Sequence, residues 1–196
     1  PVPWSPALSP SELDAGFPSD RPLVYVTIGS SGRHAGLEAV LRVIGEFPVN
    51  AILSTAGRFE VARPPPNVHV VRYAPGAEIA RRASFVVTNG GASTSYQALA
   101  EGKPVLGLPS NLDQYLAMTA IERAGAGRLV RCGAATPRAV RDAFTELLQS
   151  ESLREGASAV AQAFARFDCH ARFDAWLDEV FDEKEKEVRD EIASRA

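Results

Sequence analysis

Six short apolar runs constrain this chain more than any other feature. They are Leu23–Ile28 and the stretches "VNAILST", "NVHVVRY", "SFVVTN", "PVLGLP" and "GRLVR". Each is rich in β-branched or aliphatic residues and too short for a stable helix. Most are followed by a segment with helical spacing, such as Leu37, Val40, Leu41 and Ile44 after the first. The exception is the second run, where the triple proline Pro64–Pro66 breaks the chain before the third begins. Continuous apolar strands alternating with amphipathic helices predict an α/β fold, a doubly wound, Rossmann-like parallel sheet covered on both faces.

The helix ends are marked as well. Gly102 and Gly125 stand where two helices close, and Thr136 followed by Pro137 is an N-cap with proline at the first helical position. Two further helical patterns follow, "ESLREGASAVAQAFARF" and "HARFDAWLDEVF". No internal repeat is present.

The 196 residues are 45% hydrophobic and 23% charged, with a net charge of −3. That suits one domain with a substantial core and gives no basis for nucleic-acid or membrane-surface binding. No apolar run approaches the roughly 20 residues of a membrane helix, and a cytoplasmic location is expected. Cys132 and Cys169 have no metal-like spacing and read as two thiols. Residues 1–21 carry five prolines and read as an extended linker, with Trp4 as an anchor. The chain opens on Pro1 rather than Met, so an upstream segment is expected. Residues 22–181 form the domain. The charged stretch 182–196 is a solvated helix extension or a disordered end.

Ligands of open α/β sheets bind beyond the carboxyl ends of the strands. Three loops there have suitable composition: Gly29–His34, Tyr73–Glu78 and Asn89–Thr94. Glycines let backbone N–H groups approach a ligand, and the last loop opens a helix, so a phosphate or diphosphate fits. Neither GxGxxG nor GxxxxGK[ST] occurs, which removes support for a dinucleotide oxidoreductase or a P-loop NTPase. No D-x-D triplet for a divalent ion is present, and no metal is expected.

The stretch from Tyr73 to Gln114 reads "YAPGAEIA", "NGGASTSYQ", "GKPVLGLP" and "NLDQ" in order. This resembles the donor-binding signature of GT-B glycosyltransferases of the UDP-glucuronosyl/UDP-glucosyltransferase superfamily, W-A-P-Q-x-x-I-L, H-x-G-x-N/G-S/T-x-x-E, G-x-P-x-x-x-x-P and D/E-Q. The "WSP" linker and the "VYVTIGSSG" strand and loop are similar too, so the likeness covers most of the chain. It implies the C-terminal half of a two-domain enzyme. That enzyme transfers a hexose, with inversion, from a UDP- or dTDP-sugar to a small lipophilic acceptor.

The resemblance also implies roles. Tyr73 stands where the family stacks an aromatic on the nucleobase, although a strand-end core aromatic is an equal reading. Ala74 offers backbone groups to the base edge. Gly90, Gly91, Ser93 and Thr94 hold the diphosphate, with helix capping a compatible second role for the hydroxyls. Ser30, Ser31 and Gly32 approach the phosphates from the first loop. Asp113 and Gln114 bind the donor sugar; without the family, such a pair at a helix start reads as a cap.

Two departures stand out. Asn89 replaces the family's histidine on the diphosphate, and Gln97 replaces the glutamate on the ribose. Both keep hydrogen-bonding shape and lose charge. The general base of such enzymes is a histidine in the N-terminal half. His34, His69 and His170 are the only histidines here, and none falls at that place. His34 could reach a phosphate, His69 is structural and His170 is at the surface. The isolated chain is therefore expected to transfer no sugar. Other readings are a donor-binding subunit of a split transferase, disfavoured by the linker, and a non-catalytic nucleotide-sugar sensor. A sugar-nucleotide epimerase needs paired acids that are not seen. The apolar side of the last helix, Phe173, Trp176, Leu177 and Val180, is expected to meet the N-terminal half, or to drive self-association without it.

Overall fold

The computed structural model describes residues 20–29 and 36–194, with side chains as far as Phe181. Trp4, Ser30, Ser31, Gly32, His34 and nearly all of the expected linker lie outside the described residues.

The expected parallel sheet is present. Its strands are β1 (Leu23–Thr27), β2 (Asn50–Ser54), β3 (Val68–Val71), β4 (Phe85–Thr88), β5 (Val105–Gly107) and β6 (Gly127–Leu129). They lie in the order β3-β2-β1-β4-β5-β6, all parallel. The chain thus winds outward from β1 to one edge, then returns to β4 and winds to the other. The crevice between β1 and β4 is the topological switch point, where such sheets receive ligands.

The alternation of side chains along each strand feeds two cores. Val24, Val26, Ala51, Leu53, Phe85 and Val87 face one side. There they meet α1 (Leu37–Glu46) and α5 (Pro137–Gln149), and Phe85 packs edge-on against Phe144 at 4.9 Å. Tyr25, Ile52, Val86 and Val105 face the other side, under α2 (Gly76–Arg82), α3 (Ala92–Ala100), α4 (Leu112–Arg123) and α6 (Glu151–Ala165). Because both faces are covered, the strands are mostly apolar, as their composition predicts, with polar residues at ends such as Asn50 and Ser54.

The helix ends fall where the sequence marks them. Thr136 Oγ1 accepts from the Ala139 N–H at 3.2 Å, and Pro137 occupies the first turn of α5. Gly102 and Gly125 have φ of +65° and +67° just beyond α3 and α4, a conformation that L side chains resist. One connection was not legible. Asn67 Nδ2 donates to Ile44 O and Val49 O, both at 2.8 Å. This pins the turn after the proline triplet to the end of α1.

The last helix, α7 (Cys169–Ser194), is continuous. Among the described residues it makes no extended contact with another element. Phe173 and Trp176 stack on one another at 5.8 Å, and both are more than half exposed.

Candidate functional site

The β4–α3 loop lies at the switch point, and its geometry is tightly specified. Gly90 has φ +80°, and a Cβ there would stand 2.5 Å from Met118 Cγ. Only glycine satisfies both the backbone and the contact. Asn89 is buried, and its Oδ1 accepts from the Gly91 N–H at 3.0 Å and from the Thr88 hydroxyl at 3.2 Å. Two donors on one atom settle which end of the amide is oxygen. The amide lies beside Gly29 at the end of the first strand, its Nδ2 and Oδ1 3.5 and 3.6 Å from where a Cβ of Gly29 would stand.

Gly91 is the N-cap of α3, and no side chain caps this helix. The first helical bond runs from Ser95 N–H to Gly91 O at 3.1 Å. The N–H groups of Ala92, Ser93 and Thr94 thus precede the helix's own bonding and face outward with the positive end of the dipole. Ser93 is exposed and Thr94 is half-buried, and neither hydroxyl is used as the cap. The capping role considered for them is not taken up.

The β5–α4 loop is built differently. Asn111 Oδ1 accepts from the Gln114 N–H at 2.9 Å. The Gln114 side chain is buried and its Oε1 accepts from the N–H of Ser110 at 2.9 Å and its hydroxyl at 3.1 Å. This is a reciprocal cap, so the structure gives the Gln114 oxygen the cap role. Asp113, beside it in the first turn, is exposed. Met118, fully buried, joins the two loops: it fills the space that Cβ atoms on Gly90 and Gly107 would need.

Tyr73 is 52% exposed, which decides against the core reading. The guanidinium of Arg72 lies 5.6 Å from its ring centroid. The Tyr73 hydroxyl stands 3.2 Å from where a Cβ of Gly57 would be, and Gly57 has φ +68°. A tight turn after β2 thereby holds the ring at the carboxyl end of β3. Ala74, next in the chain, is buried. Gln97 is also buried, only 7% exposed, with its Oε1 2.4 Å from where a Cβ of Gly76 would stand. Sequence reasoning missed this contact with Gly76, whose signal was the glycine at the place of the family's glutamine.

Other expectations are placed as follows. His69 is half-buried on β3 and His170 is exposed at the start of α7. Cys132 and Cys169 are free thiols. Tyr25, beneath α2, has its phenol pushed up to about 12 by burial, partly offset by hydrogen bonds to Thr27 and Ser54. No helix among the described residues is long and apolar enough to cross a membrane.

Comparison with known proteins bears on the family and the fold. The profile of the erythromycin biosynthesis protein CIII-like C-terminal domain matches residues 37–170. A PGL/p-HBAD biosynthesis glycosyltransferase of Mycobacterium tuberculosis is 44% identical over 164 residues, 84% of this chain and 38% of the relative. A PGL/p-HBAD biosynthesis rhamnosyltransferase of Mycobacterium bovis is 43% identical over 166 residues, 85% of this chain and 37% of the relative. The chain thus spans less than two-fifths of the length of these curated relatives. Among solved structures, a spinosyn forosaminyltransferase superposes with a TM-score of 0.80 at 23% identity, covering 91% of this chain and 48% of that one. A spinosyn rhamnosyltransferase complexed with thymidine diphosphate gives a TM-score of 0.79 at 20% identity, covering 90% and 50%. The chain belongs to the erythromycin biosynthesis protein CIII-like C-terminal domain family, whose relatives here are glycosyltransferases.

Proposed function

We propose that this chain binds the nucleotide-sugar donor of an inverting glycosyltransferase that moves a hexose from a UDP- or dTDP-sugar to a small acceptor. The observation that carries the reading is the uncapped N-terminus of α3 at the switch point, beside a buried amide and a glycine that admits no side chain. A leaving diphosphate there receives backbone N–H groups and a helix dipole, already oriented before the bond breaks. The thymidine diphosphate complex of one structural neighbour and the rhamnosyltransferase among the relatives support the donor class.

In this reading Tyr73 and Ala74 hold the base, Gln97 the pentose, Asn89, Gly90, Gly91, Ser93 and Thr94 the diphosphate, and Asp113 and Gln114 the sugar. Ser30, Ser31 and Gly32 join from the first loop. The amide of Gln114 orients the Asp113 turn. No metal is required, because α3 carries the diphosphate charge. The acceptor pocket and the general base belong to an N-terminal half, against which the Phe173–Trp176 face of α7 packs. Without that half the chain transfers no sugar, and the same face drives self-association. The reading includes a cytoplasmic location.

The test is a calorimetric panel of UDP, dTDP and their hexose conjugates on the 196-residue chain, with and without a chelator. Binding that survives chelation supports the reading. No binding at millimolar concentration overturns it, and acceptor-dependent turnover by this chain alone overturns the division of labour.

A further inference from the structure

We propose that the groove between the start of α4 and the turn after β6 binds a small lipophilic carboxylate, with its apolar body on Leu112 and Tyr115 and its anionic end on Arg131. The site is separate from the nucleotide site and does not rest on the donor reading.

The groove is built by two loops. The β5–α4 loop and the first turn of α4 give one wall, with Pro109, Leu112 and Tyr115. The turn after β6 gives the other, with Arg131, Gly133 and Ala134. The Cys132 N–H donates to Pro109 O at 3.0 Å and ties the walls together. The space is about 800 Å³, a size that suits a small molecule. It lies at the carboxyl ends of β5 and β6, beyond β4 from the switch point. The polar side chains of the first wall are spent within it, since Ser110 and Asn111 both bond to Gln114. What remains there is apolar. Leu112 is 71% exposed and Leu116, one turn on, is 58% exposed. Two large aliphatic side chains on one helix face are a surface for an apolar ligand. A Cβ on Gly133 would meet nothing within 4 Å, so the second wall has room as well.

Arg131 supplies the polar end. Its guanidinium lies over the Tyr115 ring, 4.4 Å from the centroid. Such a stack uses the flat face of the group and leaves its in-plane N–H fork for a ligand. Among the described residues no carboxylate pairs with Arg131, whereas Arg81, Arg128 and Arg141 each pair with a glutamate. The guanidinium lowers the Tyr115 phenol below its usual value, by a hydrogen bond first and by charge second. A cation without a carboxylate partner, at the rim of an apolar groove, selects an anion with an apolar body. The planar fork matches a carboxylate.

The experiment titrates the isotopically labelled 196-residue chain with 4-phenylbutyrate, its neutral amide 4-phenylbutyramide, octanoate and inorganic phosphate, and follows backbone amide shifts. Both carboxylates are expected to move Leu112, Tyr115, Gly133 and Ala134 saturably. The neutral amide should bind about tenfold more weakly than its acid, as the loss of a charge-assisted bond implies. Arg131→Gln should bring the acid down to the affinity of the amide and leave the amide unchanged. Leu112→Ser should weaken both by about threefold or more. Arg131 and Leu112 are exposed, and thermal unfolding verifies that the variants fold. Tighter binding of octanoate assigns an aliphatic body and tighter binding of phenylbutyrate an aromatic one; either supports the site.

Equal affinity of acid and amide overturns the inference, as does an unchanged acid affinity in Arg131→Gln. Equal binding by inorganic phosphate overturns it too, because the apolar body then contributes nothing. Movement confined to the start of α3 places the anion elsewhere and overturns it. Groove resonances that shift with protein concentration alone give the groove to a second copy of the chain. No saturable movement with either carboxylate at about 10 mM leaves it to a macromolecular partner, and both results overturn the inference.

Discussion

The N-termini of α3 and α4 are neighbours on the same sheet edge, and they are finished in opposite ways. Both follow a short buried strand and a loop of small polar residues. At α4 the side chains of Asn111 and Gln114 close the end by accepting from N–H groups of the loop and first turn. At α3 the nearest polar side chain, Asn89, turns back to accept from Gly91 and leaves the next three N–H groups outward. A capped end is complete in itself. An uncapped end beside a close-packed glycine keeps its backbone donors available to an anion. In the proposed reading the uncapped end faces the phosphates and the capped one the sugar, although the two loops share their composition.

Substitutions can break this contrast. The largest effect is expected from Gly90→Val, which combines a φ of +80° with a collision against Met118 Cγ. It should abolish diphosphate binding and cost about 2–4 kcal/mol of stability, read by calorimetry and urea unfolding. Asn89→Asp comes next. The carboxylate keeps the acceptor for Gly91 and Thr88 but places negative charge in the crevice. TDP affinity should fall by about tenfold or more with little change in melting temperature, while thymidine binding is unaffected. Equal TDP binding by the variant would reduce Asn89 to a loop brace.

Asp113→Ala should weaken a nucleotide sugar by about tenfold while sparing the free nucleoside diphosphate, as the loss of a charge-assisted bond implies. Competition binding with the two ligands distinguishes a sugar contact from a helix-dipole effect. Asn111→Ala should cost about 1 kcal/mol by removing a cap, with no change in TDP affinity. If it alters diphosphate binding as much as Asn89→Asp does, the contrast between the two ends fails.

A pH dependence serves as an internal control away from both loops. The folded state raises the Tyr25 phenol from 10.0 to about 12. Its contribution is fully present below the unfolded value and is lost as pH rises through the folded one. Stability should fall across that window, by an amount on the order of 2–3 kcal/mol at most. Tyr25→Phe should remove that part of the slope in urea titrations.

Much of the fold was legible because its determinants are local. The strand at Val86–Val87, the Thr136–Pro137 start of α5 and the glycine at 125 each carry their own signal in adjacent residues. Asn67 did not, since its partners lie 18 and 23 residues away. The site divides in the same way. The glycine-rich loop at Asn89–Thr94 could be read from composition, but the direction of an amide could not. Whether Gln114 faces a sugar or Ser110 depends on how the loop folds back. That Gln97 leans over Gly76 depends on two helices meeting. Tyr73 was ambiguous for a related reason: its exposure is set by the turn at Gly57, remote in sequence from the strand it ends.

The central claim is that α3, and not α4, receives the diphosphate. It is tested most directly by amide chemical shifts of the isotopically labelled chain titrated with TDP. The account predicts that the N–H resonances of Ala92, Ser93 and Thr94 move strongly and saturably. Those of Leu112, Asp113 and Gln114 should move far less. Saturable movement confined to the α4 turn, or none at either end, would contradict it.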